Sequence, residues 1–121
     1  MNYDKNNIFA KILRKEIPSK IIFENEHVLS FYDVNPQKKI HALIIPKGAY
    51  INLDDFNNRA SDNEIVALSK AITEVSKILG ISTDTGKGYR VLTNLDEHGG
   101  QEVPHLHFHL FGGEKIGKMV V

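Results

Sequence analysis

The chain has 121 residues, a length that suits one domain with a buried core. Its 15 basic residues equal its 15 acidic residues, so the formal net charge is zero and indicates neither nucleic acid nor a membrane as a partner. The chain contains no cysteine, which excludes disulfides and zinc sites built on thiolates. No apolar run is long enough for a signal peptide or a membrane span, and a cysteine-free chain fits a reducing compartment, so we expect a cytoplasmic protein.

The N-terminal region is predicted to hold a flexible tail and then a short helix. Residues 1–6 are mostly polar, as expected for a mobile chain end, and a second short tail is predicted at 118–121. Pro18 should end the helix near Glu16 or Ile17. Its apolar face follows helical spacing, at Ile8, Phe9, Ile12 and Leu13.

The remaining pattern predicts a sheet covered by one long helix. Ser61 and Glu64 have the spacing of a capping box for a helix over residues 62–79, which Gly80 would end. We therefore predict an α+β domain over residues 7–117, with an antiparallel five-stranded sheet, one long helix and one short helix. The third strand is apolar throughout, which indicates a central, buried position. The five strands are predicted at residues 21–24, 28–33, 40–45, 89–94 and 105–111.

Three histidines alternate with apolar residues near the C-terminal end of the chain. A period of two is typical of an extended strand, so His105, His107 and His109 would share one face, with neighbours roughly 6.5–7 Å apart. The alternate residues would face the core. Imidazole has an unperturbed pKa near neutrality, so this stretch concentrates groups that can act as nucleophile, acid, base or metal ligand. The complete stretch is His105-Leu106-His107-Phe108-His109-Leu110-Phe111.

This pattern leaves three interpretations open. The histidines could lie by coincidence on a solvated sheet face. They could bind zinc as a His-x-His pair with a third ligand such as His41. Alternatively, one neutral imidazole could attack phosphorus while its neighbours bind phosphate oxygens. The loop Gly99-Gly100-Gln101 favours the third interpretation, because glycine lets backbone N–H groups approach an anion closely.

The sequence resembles the histidine triad (HIT) superfamily, and within it the nucleotide-binding phosphoramidase (Hint-like) branch. The motif of that superfamily is His-φ-His-φ-His-φ-φ, where φ is hydrophobic, and residues 105–111 match it completely. Further segments match in the family order and extend the resemblance over roughly residues 7–117. They are Ile8-Phe9-Ala10-Lys11-Ile12, Arg14-Lys15-Glu16-Ile17-Pro18, Phe31-Tyr32-Asp33-Val34, His41-Ala42-Leu43-Ile44-Ile45-Pro46-Lys47, Gly88-Tyr89-Arg90 and Gly99-Gly100-Gln101-Glu102-Val103.

The resemblance implies a role for each of four histidines. His107 would be the nucleophile toward the α-phosphorus and would form a nucleotidyl-histidine intermediate. His109 would contact phosphate oxygens. His105 would support the nucleophile, because its backbone carbonyl would fix the His107 tautomer that leaves Nε2 free. His41, from the third strand, would complete the cluster.

The resemblance also implies the residues that bind the nucleotide. Asp33 would accept hydrogen bonds from the ribose hydroxyls, and Asn94 and Gln101 would lie near the phosphate. Val103 is also expected among the substrate-binding residues. The walls of the base pocket would be Ile8, Phe9, Ile12, Phe31 and Leu43.

The activity implied by this resemblance is hydrolysis of purine nucleoside phosphoramidates and related adenylates, of the AMP-lysine or AMP-NH2 type. We expect no cofactor and no metal. Family members of this branch are usually homodimers, and here the fourth strand and the long helix would join two sheets into one of ten strands. The alternatives are a nucleotide-binding module with weak hydrolysis and a dinucleoside polyphosphate hydrolase. Two residues depart from the commoner family pattern, Glu102 and Pro104.

Overall fold

The computed structural model of the chain describes residues 2–120, so Met1 and Val121, the first and last residues of the two predicted tails, lie outside the described residues. The predicted domain boundaries at 7 and 117 stay predictions. None of the helices described within residues 2–120 combines the length and apolar character that a membrane span needs. The elements in chain order are α1 (Ile8–Leu13), β1 (Ile21–Glu24), β2 (Val28–Tyr32), β3 (Ile40–Pro46), α2 (Leu53–Arg59), α3 (Asp62–Ile78), β4 (Arg90–Leu92), α4 (Asp96–Gly99) and β5 (Phe108–Gly112).

The five strands form one antiparallel sheet with the order β1-β2-β3-β5-β4. This confirms the predicted α+β class and the five-stranded antiparallel sheet. β3 lies at the centre and is buried along nearly its whole length, as its apolar sequence predicts. The pairing of β3 with β5 sets Leu43 opposite His109 and His41 opposite Phe111. The sheet therefore brings histidines from two distant parts of the sequence to neighbouring strands.

Helix α3 covers one face of the sheet and begins and ends nearly as predicted. The Ser61 side chain accepts a hydrogen bond from the Glu64 N–H, and the Glu64 carboxylate accepts one from the Ser61 N–H, which completes the capping box. The helix ends at Ile78, and Gly80 follows with a φ of 73°. The core beneath it is formed by buried side chains that include Val28, Ala42, Ile44, Phe56, Leu68, Val75, Leu106 and Leu110.

Helix α1 ends at Leu13, earlier than the position near Glu16 or Ile17 that Pro18 suggested. Lys15 adopts a left-handed conformation with a φ of 64°, and its N–H donates to the Ile12 carbonyl. The Glu16 N–H donates to the Lys11 carbonyl, so the helix closes with a Schellman-type cap. Proline predicted that the helix must end before residue 18, but the local cap decided where.

Two short helices and several strand ends differ from the sequence prediction, most of all at β4, which spans Arg90–Leu92 and not residues 89–94, and at the start of β5. Helix α2 was not predicted because its seven residues include only two apolar ones, Leu53 and the buried Phe56, and α4 is a single turn without a buried side chain. Strand β5 begins only at Phe108, so the first two histidines of the motif precede the sheet. The chain turns there, with the His105 N–H donating to the Val103 carbonyl, while the Leu106 N–H bonds to the Tyr50 carbonyl.

Candidate active site

The histidine motif keeps its predicted alternation although its first part lies outside the strand. Leu106 and Leu110 are buried in the core under α3, as expected. His105 and His107 face the other way but are also buried, with 0% and 5% of their surface exposed. The interpretation of a solvated histidine face is therefore wrong. These rings lie beneath α1, where Phe9 packs edge-on against His107 with ring centroids 4.9 Å apart.

The orientation of His107 is set by a backbone carbonyl. Its Nδ1 lies 2.8 Å from the carbonyl oxygen of His105. Because a carbonyl oxygen only accepts, Nδ1 must carry the hydrogen and Nε2 keeps a free lone pair. This is the tautomer that the family resemblance implied for a nucleophile.

His41 and His109 form a second chain of hydrogen bonds. The Gln37 backbone N–H donates to His41 Nδ1 over 3.2 Å, which leaves the hydrogen of His41 on Nε2. That Nε2 lies 2.9 Å from His109 Nδ1 and 3.4 Å from an Asp33 carboxylate oxygen. His109 Nδ1 therefore accepts, and its own N–H is on Nε2. The pair thus offers a hydrogen-bond donor, His109 Nε2–H, whereas His107 offers a lone pair on Nε2.

Burial keeps these four imidazoles neutral. It lowers the pKa of His105 to about 4 and, together with repulsion from His107 and His41, the pKa of His109 to about 4. Burial also lowers the pKa of His41 and of His107, against the attraction of Asp33, which favours their charged forms. Near neutral pH all four rings are therefore uncharged, with one N–H and one nitrogen lone pair each. An uncharged imidazole is the form that can act as a nucleophile.

A cavity of about 550 Å³ opens beside these histidines. Its lining combines apolar side chains, several of them from α1, with the imidazoles of His107 and His109. Ten of the thirteen residues predicted for the site line it: Ile8, Phe9, Ile12, Phe31, Asp33, Leu43, Asn94, Val103, His107 and His109.

Three predicted site residues do not line this cavity. His41 and His105 lie behind it and contact the two histidines that do. Gln101 braces the loop instead, because its amide nitrogen donates to the carbonyls of Ile51 and Val103. Its amide oxygen accepts from the Asp96 N–H, so the Gln101 side chain is used within the protein. Its direct contact with substrate stays a prediction.

Sequence reasoning missed several residues near the site. The cavity is also lined by Gln37, whose backbone N–H sets the tautomer of His41. A backbone donor of this kind leaves no sign in the sequence. Tyr3 was also missed, because it lies in a segment predicted to be a flexible tail; its hydroxyl oxygen is 2.6 Å from His105 Nδ1.

The metal-binding alternative now has a defined set of candidate ligands. Asp33, His41 and His109 offer ligand atoms that all lie within 4.8 Å of one another. His107, which belonged to the predicted His-x-His pair, is not among them. The same atoms also hydrogen-bond one another, so an ion would have to replace those contacts. The expectation that no metal is needed stays a prediction.

Comparison with known proteins establishes the family. The sequence profile of the HIT domain family matches residues 14–116. The chain belongs to the HIT family. A HIT-like protein of Azospirillum brasilense without an assigned function is 51% identical over 118 residues, which cover 98% of this chain and 94% of that protein.

Two further relatives of this HIT protein have more informative names. A protein of Escherichia coli K12 named purine nucleoside phosphoramidase is 42% identical over 119 residues, covering 96% of this chain and 94% of that one. The solved structure of a HIT family hydrolase from Clostridium thermocellum superposes with a TM-score of 0.86 at 38% identity, covering 98% of this chain and 99% of that one. These matches support a hydrolase-type enzyme.

Acid should destabilise this HIT protein between about pH 6.5 and about pH 4. The His105 pKa is about 4 in the folded chain and returns to its usual 6.5 on unfolding, so the unfolded chain takes up the proton first. The contribution of neutral His105 to the free energy of unfolding is complete above pH 6.5. It declines as the pH falls to the folded pKa, by about 3 kcal/mol for this group. Urea unfolding at intervals across this range measures the decline. A His105→Gln variant should show a shallower decline, and an equal slope would contradict the assignment.

Proposed function

We propose that this HIT protein hydrolyses purine nucleoside phosphoramidates and related adenylates through a covalent intermediate on His107. One observation carries the proposal. His107 Nδ1 is bound to the His105 carbonyl, which leaves a buried, neutral Nε2 lone pair beside a cavity of nucleotide size. The lowered pKa of His107 supports it, because a nucleophile must be unprotonated to attack phosphorus.

The proposed reaction has two displacement steps at phosphorus. His107 Nε2 forms a bond to the α-phosphorus, and the bond from phosphorus to the leaving amine breaks. The amine departs with the bonding pair and takes a proton from solvent. Water then adds to phosphorus, the Nε2–P bond breaks, and a proton returns to solvent, which leaves AMP and neutral His107. His109 donates its Nε2–H to phosphate oxygens as charge develops on them.

The mixed lining of the cavity suits a nucleotide, which has a largely apolar base and a charged phosphate. The apolar walls under α1 would hold the purine, and Asp33 lines the cavity where it could accept from ribose hydroxyls. A second cavity of about 340 Å³ shares Asn94 and His109 with the first and gives the leaving group room. The family relation to the purine nucleoside phosphoramidase of E. coli supports an AMP-lysine or AMP-NH2 type of substrate.

We infer a cytoplasmic location from the cysteine-free composition.

Replacement of the nucleophile should separate binding from turnover. His107→Ala is expected to lower kcat by about a thousandfold or more while AMP affinity stays within about tenfold, because the walls and Asp33 remain. Hydrolysis of adenosine 5′-phosphoramidate and calorimetric titration with AMP measure the two quantities. His27→Ala is the matched control, since His27 lies in the turn before β2, away from the cavity. Turnover should also survive excess chelator. Retention of most activity in His107→Ala would refute the assignment.

The ribose contact proposed for Asp33 can be tested with a modified substrate. Asp33→Asn should raise KM about tenfold, because a charged acceptor is lost while the hydrogen bond from the Asn35 N–H can remain. The same substitution should have little effect on KM for a 2′,3′-dideoxy substrate, which has no ribose hydroxyls to donate. An equal loss with both substrates would show that Asp33 acts through His41 instead, which lies 3.4 Å away.

We also propose that the protein forms a homodimer through β4 and α3. β4 pairs with β5 on one side, and no strand among residues 2–120 pairs with its other side. An open strand edge is a natural site for pairing with a second copy. Val91 of β4 and Val66 and Ile78 of α3 expose apolar side chains. The dimer common in the family branch would continue the sheet across this edge to ten strands.

A charge on this edge should weaken the dimer. Val91→Glu is expected to raise the dissociation constant at least about tenfold, because two like charges would meet across the joined strands. Ile21→Glu is the matched control, since it adds the same charge to an exposed apolar residue of β1, at the opposite edge of the sheet. Sedimentation over a range of concentrations measures both. A wild-type chain that sediments as a monomer would rule out the dimer.

A further inference from the structure

The segment before α1 reaches the histidine cluster through Tyr3. Its hydroxyl oxygen lies 2.6 Å from His105 Nδ1, and its ring meets the His105 ring edge-on, with centroids 5.6 Å apart and an interplanar angle of 68°. The two residues are 102 positions apart in the sequence. This is a direct contact between the beginning of the chain and the motif that carries the chemistry.

The direction of this hydrogen bond follows from the second nitrogen of the same ring. His105 Nε2 lies 2.9 Å from the Pro46 carbonyl oxygen, and a carbonyl only accepts, so Nε2 carries the hydrogen. Nδ1 is then an acceptor, and the Tyr3 hydroxyl is the donor. His105 has 0% of its surface exposed, so water cannot easily replace this donor. Tyr3 completes the hydrogen bonding of a fully buried ring.

Several contacts fix the two residues that follow Tyr3. The Asp4 carbonyl accepts from both the backbone N–H and the side-chain amide of Asn7, which is the N-cap of α1. The Lys5 carbonyl accepts from the Arg14 guanidinium, at the other end of the helix. Residues 4 and 5 are therefore tied to α1, the helix that covers the histidines. The ring of His105 is held between this segment and the Pro46 carbonyl of β3.

We propose that Tyr3 is a positioning residue for the nucleophile and acts through His105. The Tyr3 hydroxyl holds the His105 ring in one tautomer and one orientation. The backbone of that same residue supplies the carbonyl that binds His107 Nδ1–H. A ring that is free to rotate or change tautomer would loosen the carbonyl and, with it, the His107 lone pair. Tyr3 does not line the substrate cavity, so the role is one of alignment and not of binding.

The kinetic effect should fall on turnover. Tyr3→Phe keeps the ring and removes the donor, and we expect kcat to fall about three- to tenfold while KM changes less than about twofold, because alignment of the attacking atom is lost and the base and ribose contacts remain. This measurement rests on the proposed function, since it needs a phosphoramidate that the wild-type chain hydrolyses.

A spectroscopic measurement tests the same inference without any substrate. Nitrogen-15 NMR of the histidine side chains reports which ring nitrogen carries hydrogen and which accepts a hydrogen bond. In Tyr3→Phe the His105 Nδ1 resonance should move toward the position of a free acceptor. The His107 resonances should show a larger fraction of the tautomer with hydrogen on Nε2. In the wild-type chain each of these two rings should show a single tautomer.

Tyr50→Phe is the matched control. Tyr50 also donates its hydroxyl hydrogen, to Glu64 over 2.7 Å, but does so at the start of α3. Its loss should lower stability and leave kcat and the His105 and His107 resonances unchanged. Equal kcat losses in the two variants would reduce Tyr3 to a general structural role and overturn the proposal.

The remaining outcomes also decide the matter. Unchanged kcat in Tyr3→Phe, or unchanged His105 resonances, would overturn the positioning role. If the wild-type chain hydrolyses no phosphoramidate, the proposed function fails by itself. The NMR comparison still decides whether Tyr3 controls the tautomers of His105 and His107.

Discussion

The hydrogen bond from His107 Nδ1 to the His105 carbonyl is the interaction on which the site depends. It joins two residues of the same motif over 2.8 Å and needs no partner from elsewhere. It fixes the tautomer of His107 and therefore the direction of the Nε2 lone pair. The turn before β5 makes this geometry possible, because His105 and His107 precede the strand. Within a regular ladder, their backbone carbonyls and N–H groups would pair with a neighbouring strand instead.

The rest of the structure supports this bond from three sides. The Pro46 carbonyl of β3 and the Tyr3 hydroxyl hold the His105 ring, and Phe9 of α1 packs against His107. β3 has a second part in the site, because its pairing with β5 sets His41 within 2.9 Å of His109. Burial of these rings keeps them neutral, because the free energy that a charged imidazole loses on leaving water exceeds what its neighbours' attraction contributes. Chemistry and packing therefore depend on the same elements.

Much of the fold followed from periodicity in the sequence. The strong signals were the apolar third strand and the capping box of α3, because both arise from local rules of burial and helix capping. Helix α2 and the one-turn α4 escaped because a short polar helix has almost no apolar period. The strand boundary at Phe108 escaped because a period of two persists in extended chain whether or not a partner strand is present.

The sequence by itself determined which residues could do the chemistry. Alternation placed three histidines on the side opposite Leu106 and Leu110, and the family motif distinguished their expected roles. Only the tertiary structure decided their protonation and tautomers, because those depend on burial and on partners far away in the chain, such as the Gln37 N–H for His41. It also showed that the Gln101 side chain donates to the carbonyls of Ile51 and Val103, and it brought Tyr3 to His105. Contacts over such separations follow from packing, which no local pattern of residues encodes.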